Sequence, residues 1–231
     1  MKEFLDNSIF FGLLVSILSY QFGVYLKKKS KLAICNPLLI SIMAVILLLL
    51  IFHVDYATYH ASAKYLTYLL TPATVCLAIP LYEQLELLKN NRKAIVAGLL
   101  SGVLTNFFCI VLLSMLFRLN HQEYVTLLPK SITTAIGIGV SEELGGIVSI
   151  TATAIIITGV LGNVIAEVVC KVFHIKEPIA KGIALGSAAH AIGTVKAMEM
   201  GEVEGAMSSL SIVITGLLTV IGASIFAGLI S

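Results

Sequence analysis

Apolar residues run along this chain in long stretches, separated by short segments where charge collects. Stretches of this kind at residues 8–26, 35–52, 94–117, 147–172 and 207–230 approach the roughly 20 residues that cross a bilayer core as a helix. In lipid every backbone polar group must be satisfied within its own segment, so these runs predict helices. Two further stretches, 65–85 and 182–205, have the length of a crossing helix but a broken pattern. Residues 127–146 are too polar for a lipid-facing crossing. The pattern therefore predicts an all-α polytopic membrane protein with about seven spans plus one re-entrant or broken segment.

The interruptions are specific. In 65–85, Pro72 and Pro80 remove two backbone donors and push the residues before them out of helix. In 182–205, Gly182 and Gly186 form a small-residue face, after which Ser187, His190, Gly193, Thr194 and Lys196 break the apolar run. A lysine at the bilayer centre costs about 2.5–3.5 kcal/mol on insertion scales, so this face must look at protein, water or a solute. A buried polar seam between helices and a solute site are both open readings; the cluster taken whole favours the site. Residues 127–146 carry Lys130, Ser131, Thr133 and Thr134, the paired Glu142 and Glu143, and the helix-breaking Gly137, Gly139, Gly145 and Gly146.

Charge orients the pattern. Lys27, Lys28, Lys29 and Lys31 follow the first run, and Lys89, Arg92 and Lys93 precede the fourth. Lysines and arginines favour the cytosolic side, which places the N-terminus outside. If 127–146 crossed the membrane, Lys171, Lys176 and Lys181 would face outward; a re-entrant segment keeps them cytosolic. Residues 182–205 then cross from inside to outside, and the C-terminus is cytoplasmic. The interrupted segments 65–85 and 182–205 run in opposite directions, as in inverted-repeat transporters with a midplane site. One domain, 1–231, is expected, with repeat halves at about 1–120 and 121–231.

Composition narrows the function classes. Hydrophobic residues make up 58% and charged residues 12%, too little charge for a soluble domain of this size. A net charge of +2 with no basic tail gives no footprint for nucleic acid. Cys35, Cys76, Cys109 and Cys170 lie in apolar runs without metal-ligand spacing. No nucleophile–base pair, phosphate loop or metal set is present in the pattern, so neither an enzyme nor a cofactor is expected.

The candidate chemistry is solute binding. A half-helix N-terminus offers free N–H groups and positive dipole to a carboxylate. Gly193 and Thr194 are candidates for those donors, with Ser187 beside them and Lys196 adding charge. Lys196 is equally readable as an interfacial residue paired to Glu199. Ser131, Thr133 and Thr134 would bind a hydroxy or keto oxygen, or else their own helix backbone. His190, Glu142 and Glu143 are the candidates for proton coupling.

Four stretches, TPATVCLAIPLY, LPKSITTAIGIGVSEELGGI, ALGSAAHAIGT and AMEMGEVEGAMSSL, resemble the LrgB/CidB family of bacterial membrane proteins over nearly the whole chain. Ala135 and Ala189 depart from residues frequent in that family, a proline and a serine. The resemblance implies a multi-pass protein of the plasma membrane, possible homo-oligomers, and a small LrgA/CidA-type membrane partner. It also implies two competing functions. One is a carrier of small monocarboxylates of the pyruvate, lactate and glycolate class, as in the related plastid glycolate/glycerate translocator. The other is antiholin-like control of murein hydrolase activity and cell lysis without transport. The interrupted helices and their polar clusters favour the carrier, whose ligand is a small organic anion.

Overall fold

The computed structural model describes residues 10–30, 36–69, 72, 75, 76 and 78–230, and every regular element among them is helical. With three helices long and apolar enough to cross a bilayer, the chain is an all-α polytopic membrane protein. It divides into two compact units, residues 1–76 and 77–231.

In the first unit, α1 (Phe11–Ser30) packs on α2 (Pro37–Ile51) and α3 (Tyr56–Ala63), and a 3-10 segment, Lys64–Leu69, follows. Asn36 caps α2: its side chain accepts from the Leu38 and Leu39 amides at 2.8 and 3.3 Å. Pro37, whose missing N–H costs nothing there, opens the helix. The Gly12 amide donates to Ser62 Oγ at 2.6 Å, and Ser16 Oγ shares a hydrogen bond with the Tyr59 hydroxyl at 2.7 Å. These polar contacts join α1 to α3, which lies between the apolar stretches 35–52 and 65–85. Lys31 and Cys35 lie outside the described residues, as do Thr71, Ala73 and Thr74 around Pro72.

The second unit begins with the short α4 (Ala78–Glu83), which contains Pro80, and a break at Gln84 (φ −105°, ψ 19°). Then come α5 (Leu85–Phe117), α6 (His121–Leu127), α7 (Thr134–Glu143), α8 (Val148–Val172), α9 (Pro178–Met200) and α10 (Glu202–Ala227). Two apolar clusters mark its ends. At one, Ile95 and Leu99 of α5 pack with Ile183 near the start of α9 and with Ala206 and Met207 near the start of α10. At the other, Phe107 and Ile110 of α5 pack with Tyr124 and Val125 of α6 and with Ala223 and Ala227 late in α10. Lys89, Arg92, Lys93, Lys171, Lys176 and Lys181 belong to the first, basic end; Arg118 belongs to the second.

Residues 121–146 enter and leave at the second end. The Ile147 amide donates to Thr126 Oγ1 at 2.8 Å, Thr151 Oγ1 donates to the Thr126 carbonyl at 2.9 Å, and Ser141 Oγ meets Thr151 Oγ1 at 2.6 Å. The end of α6, the end of α7 and the start of α8 therefore share one level. Ten residues of α7 rise about 15 Å, half a bilayer core. The segment is a re-entrant hairpin with its tip at residues 128–133. Of the four glycines expected to break it, Gly137 and Gly139 lie within α7, and the turn into α8 uses Gly145 (φ 78°) and Gly146.

The single crossing expected of residues 182–205 is corrected by the structure. Within α9, His190 has φ 42° and ψ −138°, far from helical. A Cβ added at Gly193 would stand 2.6 Å from the Leu185 carbonyl oxygen. In a continuous helix those residues would lie about 12 Å apart along the axis. The chain thus doubles back at His190 into two half-helices, 178–189 and 191–200. Their ends confirm it: Lys181, at the start of α9, reaches Glu204, at the start of α10, across 3.9 Å. A hairpin followed by a crossing helix therefore occurs twice in opposite directions, as α6–α7 with α8 and as α9 with α10.

Candidate functional site

The second hairpin is held by α8 and α10. Its tip residue, His190, is 3% exposed, and its Nε2–H donates to the Ile155 carbonyl at 3.0 Å. The imidazole fits because residue 159 is glycine; a Cβ there would stand 2.8 Å from the ring. Asn163 Nδ2 donates to the Ile192 carbonyl at 2.8 Å. Thr194 Oγ1 donates to the His190 carbonyl at 3.0 Å and shares a second bond with Ser208 Oγ at 2.7 Å. Along α10, Gly182 and Gly186 sit directly on the backbone of Glu204 and Ser208. The small-residue face is thus the contact that lets the first half-helix lie against α10.

The first hairpin carries the polar tip. Lys130 Nζ donates to Ser131 Oγ at 3.2 Å, and Ser131 Oγ donates to Asn106 Oδ1 of α5 at 3.0 Å. Thr133 is the N-cap of α7 in extended conformation, and its side chain makes no capping hydrogen bond. The first-turn amides of α7 and of residues 191–200 both start from hairpin tips, so two positive dipole ends point inward from opposite faces.

A cleft of about 940 Å³ runs between α5, α8 and the first half of α9. It begins near Asn91 and Glu177 at the basic end and reaches Lys130, Ser131 and Asn106 at the first tip. Leu161, Ile165 and Ile183 give it an apolar wall, while Ser187 and Thr158 add hydroxyls. Ser187 donates to its own helix, at the Ile183 carbonyl, 2.7 Å away, so it offers the cleft an acceptor.

The structure sorts the candidates named from sequence. Ser131 and Ser187 line the cleft, and Thr133 and Thr134 stand at the same tip as Ser131 without lining it. His190, Gly193 and Thr194 are buried inside the second hairpin and its contact with α10. Lys196 pairs with Glu167 of α8 at 2.6 Å and with Glu199 at 3.4 Å. Glu142 and Glu143 are exposed at the end of α7 beside the turn into α8, away from the His190 tip. Two cleft residues, Lys130 and Asn106, were not among the sequence candidates. A lysine directly before a hydroxyl-rich helix start was the signal for the first; a single asparagine on α5 gave none. Among the described residues, no group of His, Cys, Asp and Glu is arranged to hold a metal ion.

The LrgB-like family model matches residues 16–229. The chain belongs to the LrgB family. It is 38% identical over 207 residues to a protein named holin-like protein CidB from Staphylococcus aureus (strain N315), covering 90% of each chain. It is 37% identical over 224 residues to one named antiholin-like protein LrgB from Bacillus subtilis (strain 168), covering 96% of this chain and 97% of that one. An antiholin-like LrgB from Bacillus cereus (strain B4264) is 35% identical over 213 residues. No solved structure matches this LrgB-family chain.

Proposed function

We propose that this LrgB-family protein carries a small organic anion of the monocarboxylate class, such as pyruvate, lactate or glycolate, across the bacterial plasma membrane, together with a small LrgA/CidA-type partner. One observation carries the reading: a hairpin tip bearing Lys130 and Ser131, hydrogen-bonded to Asn106 of α5, stands at the inner end of a cleft at membrane depth. Half-helices opposed in direction, with irregular backbone where they meet, are how many secondary transporters build a midplane site. The reading involves no enzymatic step. By the charge rule the basic end faces the cytosol and the cleft opens there. The N-terminus is outside on the strength of Lys27, Lys28 and Lys29. With α9 doubled back, α10 runs away from the basic end, so the C-terminus falls outside rather than in the cytoplasm.

A second reading is antiholin-like control of murein hydrolase activity and lysis without solute movement. The names of the relatives, holin-like and antiholin-like, favour it more directly than they favour transport. The two readings part in proteoliposomes holding the chain alone or with an LrgA-type partner. Saturable uptake of labelled pyruvate, lactate or glycolate is the expected result. No flux of these acids in either preparation, with autolysis still altered in cells, would leave the regulator reading.

A further inference from the structure

We infer that Lys130, at the tip of the first hairpin, recognises the charge of the solute, and that its site with Ser131 and Asn106 takes an anion bearing a single carboxylate. This rests on the carrier reading above and names the binding group of that same cleft.

The donor count points to an anion. Among the described residues Lys181 and Lys196 find carboxylates, whereas Lys130 makes no ion pair. Its ammonium gives one hydrogen bond to Ser131 Oγ, which passes its own hydrogen to Asn106 Oδ1. Among the described residues, two ammonium hydrogens and the Asn106 amide hydrogens have no partner at the lining of the cleft. An ammonium withdrawn from bulk water is costly without a counter-charge, and a carboxylate is the group that fits lysine and amide donors side by side.

Charge and shape then limit the ligand. Among the described residues Lys130 is the one lysine lining the cleft, and the one carboxylate lining it, Glu177, stands at the mouth. A second negative charge on the solute would have no cation at the tip and would meet Glu177 on entry. The wall of Leu161, Ile165 and Ile183 suits a short hydrocarbon body behind the carboxylate.

Cys109 lines the same cleft and reports on it. The test uses the full chain with Cys35, Cys76 and Cys170 replaced by serine, in detergent, and follows alkylation of Cys109 by N-ethylmaleimide. Lactate should slow alkylation saturably; lactamide and chloride at equal ionic strength should not, and succinate should need at least about tenfold more, the loss expected from one unpaired charge. K130M should raise the half-protecting lactate concentration roughly 10- to 150-fold, the loss of one charge-assisted hydrogen bond. It should melt at or above the parent temperature, because the cation it removes has no ion-pair partner. K130R should retain partial protection. Protection that survives K130M, equal protection by lactamide, or a K130M protein that melts well below the parent would each overturn the assignment. Protection without vesicle flux would keep the site and remove the carrier; flux without Lys130-dependent protection would do the reverse.

Discussion

A comparison of His190→Gly with His190→Ala tests the second hairpin by the sign of one difference. Both variants lose the imidazole, its bond to the Ile155 carbonyl, worth about 0.5–1.5 kcal/mol, and its packing against Gly159. These losses are common to the two and cancel. What remains is the backbone at φ 42° and ψ −138°. Alanine holds such a conformation at a cost of about 1–3 kcal/mol, and glycine holds it freely. The glycine variant should therefore be the more stable by about that amount. If residues 178–200 formed one continuous helix, alanine would win by about 0.5–1 kcal/mol. Equilibrium unfolding in mixed micelles, followed by helical circular dichroism, resolves a swing of this size. The expected order is parent, then glycine, then alanine; an alanine variant as stable as the glycine one would refute the doubled-back chain.

Thr194→Val should lose about 1–3 kcal/mol of stability, because it strands the buried Ser208 hydroxyl, while lactate protection of Cys109 stays at the parent level. A weakened protection at normal stability would return Thr194 to the solute site. Gly186→Ala should lower the melting temperature, since its Cβ would fall onto the Ser208 carbonyl and force α9 from α10; Gly139→Ala, with open space around it, should be neutral or gain about 0.5–1 kcal/mol. Single cysteines at Glu177 and Gly201 should label from the same face of the membrane and one at Glu123 from the other; opposite labelling of the first two would remove the second hairpin.

The crossing helices of the second unit were legible because lipid leaves little choice. Residues 94–117, 147–172 and 207–230, read from apolar length alone, fall on α5, α8 and α10. The first hairpin was legible for the opposite reason: hydroxyls, paired glutamates and glycines in 127–146 do not suit a lipid-facing crossing, and the lysines after α8 called for a return. The second hairpin was not. Its reversal is made by a histidine rather than a glycine, and the groups that hold it, Ile155, Gly159 and Asn163, lie about thirty residues back in the chain. One local clue existed: Lys181 and Glu204 carry opposite charges at the two ends of the segment, where a crossing helix would hold them a membrane apart.

That reversal changes which motif does what. The sequence drew attention to His190, Gly193 and Thr194, and small and polar residues so placed do mark a helix interruption. Their polar atoms, however, are spent on one another, on α8 and on Ser208. A group with its hydrogen bonds satisfied inside a hairpin has little left for a solute. Lys130 and Asn106 are in the contrary position, with donors to spare at the lining of a cleft. The second hairpin then supplies geometry: by folding back at mid-membrane, its first half forms one wall of the cleft and brings Ser187 onto Gly102 of α5. Satisfied polar groups build the hairpin and unsatisfied ones recruit the ligand, so the count of open donors is the better guide to the site.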